Sequence, residues 1–153
     1  MVRVSAKADY ALRALIELAS RHDDEAVSAE ELGRLQAIPY GFLQSILADL
    51  RRAGVVVSQR GQSGGWRIDG DAASVSVADV IRAVDGPLVS IHGMRPEAVS
   101  YNDSAEVLQH VWIAARTSLR TVLEGVTVRA LADGKLPRTV TSRTKSEDDW
   151  QSH

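Results

Sequence analysis

Apolar residues recur at intervals of three and four in five stretches of the chain, and this spacing predicts five helices, each with one buried face. The predicted helices cover residues 5–20, 28–35, 39–53, 77–84 and 104–123. Two short runs between the third and fourth helices differ, because residues 55–57 are three valines and residues 66–68 are Trp, Arg and Ile. Such β-branched and aromatic residues favour strands. The chain is therefore predicted to be mainly α-helical, with one two-stranded hairpin.

Residues at the ends of these stretches support the predicted boundaries. Ser5 and Ser76 are suited to cap the first and fourth helices, and residues 28–31 form a capping-box sequence, Ser-Ala-Glu-Glu. Pro39 suits a first helical turn, and Gly54 suits the position just after a helix end. Residues 2–4 are predicted to be an extended lead-in, and residues 21–25 a polar loop.

The third helix and the hairpin after it carry an unusual set of polar groups. The predicted buried face of the helix consists of Phe42, Leu43, Ile46, Leu47 and Leu50. Its exposed face offers Tyr40, Gln44 and Ser45 rather than the usual Glu and Lys. From residue 51 to residue 67 there are four arginines and no acid. A helix followed by a basic, glycine-rich hairpin is the plan of a winged helix-turn-helix, whose helix enters a DNA major groove. The alternative is an ordinary helix packed on an ordinary hairpin.

This interpretation assigns roles to particular side chains. Gln44 has the amide that pairs with adenine, and Ser45 can bond to either base type. A cation at the hairpin tip suits a narrow minor groove. Arg51 and Arg52 are interpreted as phosphate contacts, or as favourable charges at a helix C-terminus. The candidate base-reading residues are Tyr40, Gln44 and Ser45, and the candidate wing residues are Gln59, Arg60 and Gly61.

Composition narrows the class of protein. The chain has 153 residues, a net charge of −2 and no cysteine. The missing thiols exclude disulfides, thiol redox sensing and cysteine-ligated metal sites. The negative net charge does not argue against DNA binding, because the affinity for DNA depends on local cations that displace phosphate counterions. No apolar run is long enough to span a membrane and the N-terminus is not a secretory signal, so we expect a cytoplasmic protein with no membrane partner.

The fifth predicted helix has an apolar stripe that is too broad to be covered by this small chain alone. We therefore predict that it mediates homodimerisation; the alternative is that it belongs to the core of its own chain. The candidate dimer residues are Val107, Leu108, Val111, Trp112, Ala115 and Leu119. The predicted organisation is a winged-helix domain over 1–70, a fourth helix, loop and long dimerisation helix over 71–135, and a disordered tail over 136–153.

Several of these stretches together resemble the Rrf2 family of bacterial transcription regulators. The matching segments are 5–15, 38–50, 60–66 and 77–87, with Trp112, Leu119, Leu123, Val126, Thr127 and Leu131. The resemblance covers roughly residues 2–135. It implies homodimeric winged-helix proteins, usually repressors, that bind palindromic operators. By position, it also implies that Gln44 and Ser45 contact bases, that Arg60 enters the minor groove, and that Ser5 and Lys7 lie near the phosphates.

The loop before the long helix departs from the iron–sulfur members of that family. Those members have three cysteines there. In this chain, Glu106 stands where they have the last of these cysteines, and Gln109 stands where they have a nearby histidine. We expect no cofactor and no metal. The alternative is a zinc site built from His92, His110, Asp103 and Glu106, although its ligand spacing is not tight. The resemblance is therefore closer to the clusterless branch, which includes regulators of sulfur and cysteine metabolism.

The same loop is the predicted place for a regulatory input, because it joins the fourth and fifth helices. His92, Arg95 and Tyr101 offer cationic and aromatic contacts there. We expect a small-molecule effector or a regulatory protein, with a sulfur metabolite suggested only by the resemblance. Arg95 would suit an anionic metabolite, and the alternative is a solvated loop arginine.

The sequence gives less support to other classes of function. No nucleophile–base–acid set, phosphate-binding glycine loop or HExxH motif is present, so an enzyme is not predicted. A winged helix used only for protein contacts is the remaining alternative. The predicted partners are double-stranded DNA and a second copy of the chain.

Overall fold

The computed structural model describes residues 3–22 and 25–153. Val2 of the predicted lead-in and Asp23 and Asp24 of the predicted polar loop lie outside the described residues. Within the described part of the chain, no helix is long and apolar enough to cross a membrane.

Three N-terminal helices pack around one core: α1 (Ala6–Ala19), α2 (Ala29–Gln36) and α3 (Tyr40–Arg52). Ser5 caps α1 as predicted, because its Oγ accepts a hydrogen bond from Ala8 N at 2.9 Å. The C-terminal end of α3 is followed by Gly54 at φ +76°, a conformation that glycine adopts without strain. The largest buried side chains of this core are Leu15, Leu32, Leu43, Ile46, Leu47 and Leu50.

The predicted hairpin is present as β1 (Val56–Gln59) and β2 (Gly65–Ile68). The two strands pair antiparallel, with Val56 opposite Ile68 and Gln59 opposite Gly65. A third short segment extends this sheet, because Val27 and Trp66 exchange two backbone hydrogen bonds of 2.9 and 2.8 Å. The hairpin is thereby attached to the chain between α1 and α2, so its position relative to the three helices is set by tertiary contacts.

The rest of the chain forms α4 (Val77–Asp85), α5 (Val107–Leu123), α6 (Val128–Ala132) and α7 (Arg138–Thr141). Ser76 and Asp79 form a complete capping box at the start of α4. Backbone hydrogen bonds of 2.9 Å join Val77 to Val126 and Val128 to Val75. Val80 and Val128 belong to the same buried cluster as the N-terminal helices. The core therefore runs across the predicted boundary at residue 70.

Three local predictions are corrected by the structure. Ser28 caps α2, but the Glu31 carboxylate bonds to Arg34 at 2.6 and 2.8 Å instead of completing a capping box. Phe42 was predicted on the buried face of α3, yet it is 42% exposed. It lies at the rim of that face, with its ring 5.2 Å from the ring of Tyr10. Residues 136–153 were predicted to be disordered, but they include α7 and a 3₁₀ turn at Asp148–Trp150.

Candidate nucleic-acid interface

The outer face of α3 presents the three predicted base-reading side chains. Leu43, Ile46 and Leu47 point into the core, so Tyr40, Gln44 and Ser45 point outward. Tyr40 is 64% exposed. Within the described residues, the side chains of Gln44 and Ser45 make no hydrogen bond, so their donors and acceptors are available to a ligand. This arrangement matches a helix that places polar groups against base edges.

The hairpin, which we call the wing (residues 56–68), has an exposed tip that contains Gln59, Arg60 and Gly61. The turn is tight, because Gly64 N donates to Gly61 O at 3.0 Å. A Cβ on Gly64 would lie 2.5 Å from Gln59 O, which explains the glycine at that position. Arg60 has no ion-pair partner in the described parts of the chain. Its guanidinium is therefore available to a phosphate or a minor groove.

The predicted phosphate contacts fall into two groups. Arg51 is exposed and forms no ion pair with any described residue. Lys7 Nζ and Arg52 Nη1 instead bind the Asp49 carboxylate at 2.5 and 3.0 Å. Ser5 is also engaged, because its Oγ donates to Asp85 Oδ2 at 2.5 Å while it caps α1. Three of the predicted contacts are thus already bonded within the chain.

Asp49 is a residue whose role the sequence did not reveal. It is the one acid in α3, and only 17% of its side chain is exposed. Its carboxylate joins α1 to α3 through Lys7. The Lys7 ammonium, followed by the Arg52 guanidinium, holds the pKa of the Asp49 carboxyl below its ordinary value. The spacing of three residues between Asp49 and Arg52 is a signal that the sequence contains, because residues so spaced are neighbours on a helix. The contact between Asp49 and Lys7 depends on tertiary packing.

Asp49→Asn should have opposite effects on stability and on DNA binding. A carboxyl with a lowered pKa stabilises the fold at pH values above its unfolded pKa of about 4, and loses this contribution as the pH falls through its folded pKa. The free energy of unfolding should fall by about 1 kcal/mol at pH 7, with the difference from wild type shrinking below about pH 4. Binding to random DNA should tighten, because Lys7 and Arg52 are released.

Urea denaturation at pH 7 and pH 3, with titration of a random duplex, measures both effects. Glu147→Gln makes the same change in net charge in the exposed C-terminal segment and serves as the control. Weaker DNA binding by Asp49→Asn would mean that Asp49 positions Lys7 and Arg52 for DNA instead of neutralising them.

The three predicted regulatory residues have different surroundings in the structure. His92 is exposed in a tight turn at φ +50°. The Tyr101 hydroxyl accepts a hydrogen bond from Trp112 Nε1 at 3.0 Å, which attaches the loop to α5. Of the three residues, only Arg95 lines a cavity between α4 and α5.

Some residues of the apolar stripe of α5 pack against their own chain, and the others are exposed. Trp112 and Leu119 are half-buried against their own chain, whereas Val107, Leu108 and Val111 are 71%, 37% and 55% exposed. Ala115 is exposed on the same side. None of the 17 residues of α5 is fully buried. A long helix with an uncovered apolar side is typical of a protein–protein contact.

The side chains that the structure describes do not fit an iron–sulfur cluster or a bound iron ion. The sequence contains no cysteine, and thiolates are the usual cluster ligands. Within residues 3–22 and 25–153, no three His, Asp or Glu side chains converge to form a metal site.

These features define a class of protein: a winged helix-turn-helix with polar side chains exposed on its third helix and a cation at the tip of its wing. Comparison with known proteins identifies the family. The Rrf2 model, described as an iron-dependent transcriptional regulator, matches residues 4–134. The chain belongs to the Rrf2 family of DNA-binding transcriptional regulators, which are not enzymes.

Individual relatives agree with this assignment. The chain is 40% identical over 151 residues to a protein of Mycobacterium tuberculosis described as the HTH-type transcriptional regulator Rv1287, with 99% of this chain and 92% of that protein covered. The structure of CymR, the global cysteine regulator of Bacillus subtilis, superposes with a TM-score of 0.74 at 27% identity, covering 88% of this chain and 98% of that one. T. potens IscR superposes with a TM-score of 0.70 at 25% identity, covering 97% and 96%.

Proposed function

We propose that the chain forms a homodimer that binds an inverted-repeat DNA operator and represses transcription in the cytoplasm. The proposal rests on the combination of two surfaces in each chain: an exposed recognition face on α3 and an uncovered apolar side on α5. The family assignment establishes the coarser function, a DNA-binding transcriptional regulator. The dimer, the palindromic operator and repression go beyond this coarser function and belong to the proposal.

The dimer follows from the surface that α5 leaves open. Val107, Leu108 and Val111 lie three and four residues apart on one side of the helix, and all three are exposed. Apolar surface of this kind gains free energy when a second copy covers it. A twofold axis makes each copy contribute the same patch, which brings two α3 helices into one assembly.

The operator follows from this symmetry. Each α3 would enter a major groove, with Gln44 and Ser45 against base edges and Arg60 at the neighbouring minor groove. Two half-sites would then lie on one side of the duplex, with centres about 10 bp apart or slightly more. Repression is the usual result when such a dimer covers a promoter.

The regulator would act without an iron–sulfur cluster. The proposal rests on the donor set, because the chain has no cysteine to supply thiolates. Its control would then come from a small molecule or from another protein. A sulfur metabolite remains one candidate, since the neighbour CymR is described as a cysteine regulator.

The test is sequence-specific binding by Gln44→Ala. An operator is first selected from random duplexes with the wild-type protein. On that operator the variant should lose about 1–3 kcal/mol of binding free energy, because a bidentate contact to a base is removed. Binding to random DNA should change little.

Gln151→Ala, an exposed glutamine of the C-terminal segment, is the control and should bind as wild type does. Equal losses on operator and random DNA would show that Gln44 does not read bases. Selection of a single asymmetric half-site would contradict the inverted repeat. Binding that does not weaken with salt would contradict the DNA interface and favour a protein-interaction module, because phosphate contacts are salt-sensitive.

A further inference from the structure

A cavity of about 480 Å³ lies between α4 and α5 and is rich in arginine. We call it the α4–α5 cavity; its lining residues include Arg82, Arg95, Glu97, Arg116 and Arg120. Arg116 and Arg120 are one turn apart on α5, Arg82 comes from α4, and Arg95 comes from the connecting segment. Three separate elements thus contribute arginines to the lining of one cavity.

The arginines outnumber the carboxylates that neutralise them. Arg82 and Arg120 share one carboxylate oxygen of Glu124, at 2.6 and 2.9 Å. Arg116 pairs with Glu97. Asp79 adds a longer contact, 3.8 Å from Arg82. Arg95 has no ion-pair partner among residues 3–22 and 25–153, so positive charge remains in excess even when all three acids are included.

The two glutamates keep this arrangement charged and ordered. Arg120, and after it Arg82, holds the pKa of the Glu124 carboxyl below its ordinary value. The pKa of Glu97 is lowered by a backbone hydrogen bond first and by Arg116 second. Both acids therefore stay ionised near neutral pH and hold three guanidinium groups in place. Arg82, Arg116 and Arg120 are thus positioned before any ligand arrives, which reduces the entropic cost of binding.

We propose that the α4–α5 cavity binds a small organic molecule with at least two anionic groups, such as a polyphosphate or polycarboxylate metabolite. Guanidinium groups bind phosphate and carboxylate oxygens in pairs. Of the four arginines of the cavity, Arg95 is the one whose side chain makes no hydrogen bond or ion pair with a described residue. The volume suits a metabolite, since ligand pockets commonly measure about 300–1,000 Å³. Pro87, Leu88 and Val89 add an apolar wall for the carbon part of the ligand.

The position of the cavity would make this ligand a regulator, a role that rests on the proposed function. α4 packs against both α1 and α3, whereas α5 carries the exposed dimer stripe. An anion held by Arg82 on one side and by Arg116 and Arg120 on the other would restrain the angle between these helices. Because that angle sets the spacing of the two α3 helices in a dimer, occupancy should change operator affinity.

Binding is tested with pyrophosphate and citrate as probes, against sodium chloride at equal ionic strength. Wild-type protein should show a rise in Tm of about 5 °C with at least one probe at saturation. Arg95→Gln should weaken the probe affinity measured by calorimetry about tenfold or more, since charge-assisted hydrogen bonds are lost. Arg138→Gln, at an exposed position outside the cavity, should bind as wild type does.

Each outcome decides the proposal. No rise in Tm with either probe, or equal affinities for wild type and Arg95→Gln, overturns the site. Arg95→Gln breaks no ion pair of the part of the chain that the structure describes, and circular dichroism verifies that the variant folds. Operator affinity is measured in parallel: the probe should change it at least threefold for wild type and not for Arg95→Gln. Probe binding without that change overturns the regulatory role. If the wild-type protein does not bind any operator, the proposed function is contradicted, whereas the anion site is still decided by the probe measurements.

Discussion

Replacing Val111 by glutamate is expected to convert the proposed dimer into a monomer and to weaken operator binding about 100-fold or more. Val111 is 55% exposed in the middle of the uncovered apolar stripe of α5. In a twofold contact the new carboxylate would meet its own copy or an apolar surface, and burying an unpaired charge costs several kcal/mol. A monomer holds only one half-site, so the affinity gained from joining two half-sites is lost.

Light scattering gives the mass and a gel-shift titration gives the operator affinity. Thr117→Glu is the matched control, because it adds the same charge to an exposed position of α5 away from the apolar stripe. It should remain dimeric and bind DNA normally. A dimeric Val111→Glu variant would mean that the stripe is not the interface, and a monomeric wild type with full operator affinity would contradict the dimer altogether.

Replacing Gly65 by alanine is expected to lower the free energy of unfolding by about 2–4 kcal/mol and to weaken DNA binding. Gly65 has φ +147°, and a Cβ there would lie 2.5 Å from both the carbonyl carbon and oxygen of Val27. Those atoms belong to the backbone that pairs with Trp66, so no side chain can move to make room. The wing would have to separate from the segment between α1 and α2, which moves Arg60.

Gly41→Ala is the matched control for this substitution. Gly41 lies in the first turn of α3, and a Cβ built on it meets no atom of a described residue within 4 Å. In a helix, alanine is more favourable than glycine by about 1 kcal/mol, so this variant should be as stable as wild type or slightly more stable. Urea denaturation compares the two. Equal stability of Gly65→Ala and wild type would show that the wing does not depend on its contact with Val27.

Most features governed by neighbours in sequence were predictable, although Glu31 bonds to Arg34 and does not complete the predicted capping box. The Ser5 cap, the helix ending before Gly54 and the wing turn all depend on residues within a few positions of one another. The buried face of α3 was predicted for the same reason, because residues spaced by three and four lie on one side of any helix. Phe42 was the exception, since its exposure depends on where the core ends and on the ring of Tyr10.

For the candidate site, the sequence pattern indicated which side chains are exposed but not which of them are paired within the chain. Gln44, Ser45 and Arg60 are exposed where the pattern of α3 and the wing indicated. Lys7 and Arg52 were predicted to contact phosphate, yet both bind Asp49 in the structure. Asp49 is 42 residues from Lys7 in the chain, and no spacing rule connects them. Such a pair forms only when α1 and α3 pack together.

Sequence alone determined the main helices, the hairpin and the kind of surface that each offers: a polar face on α3, a basic wing, and an apolar stripe on α5. These properties follow from side-chain chemistry and from helix or strand periodicity, which act over a few residues. Tertiary structure alone decided the attachment of the wing to Val27, the neutralisation of Lys7, and the gathering of four arginines around the α4–α5 cavity. Each joins residues far apart in the chain, and only the packing of the helices around one core determines which distant side chains meet.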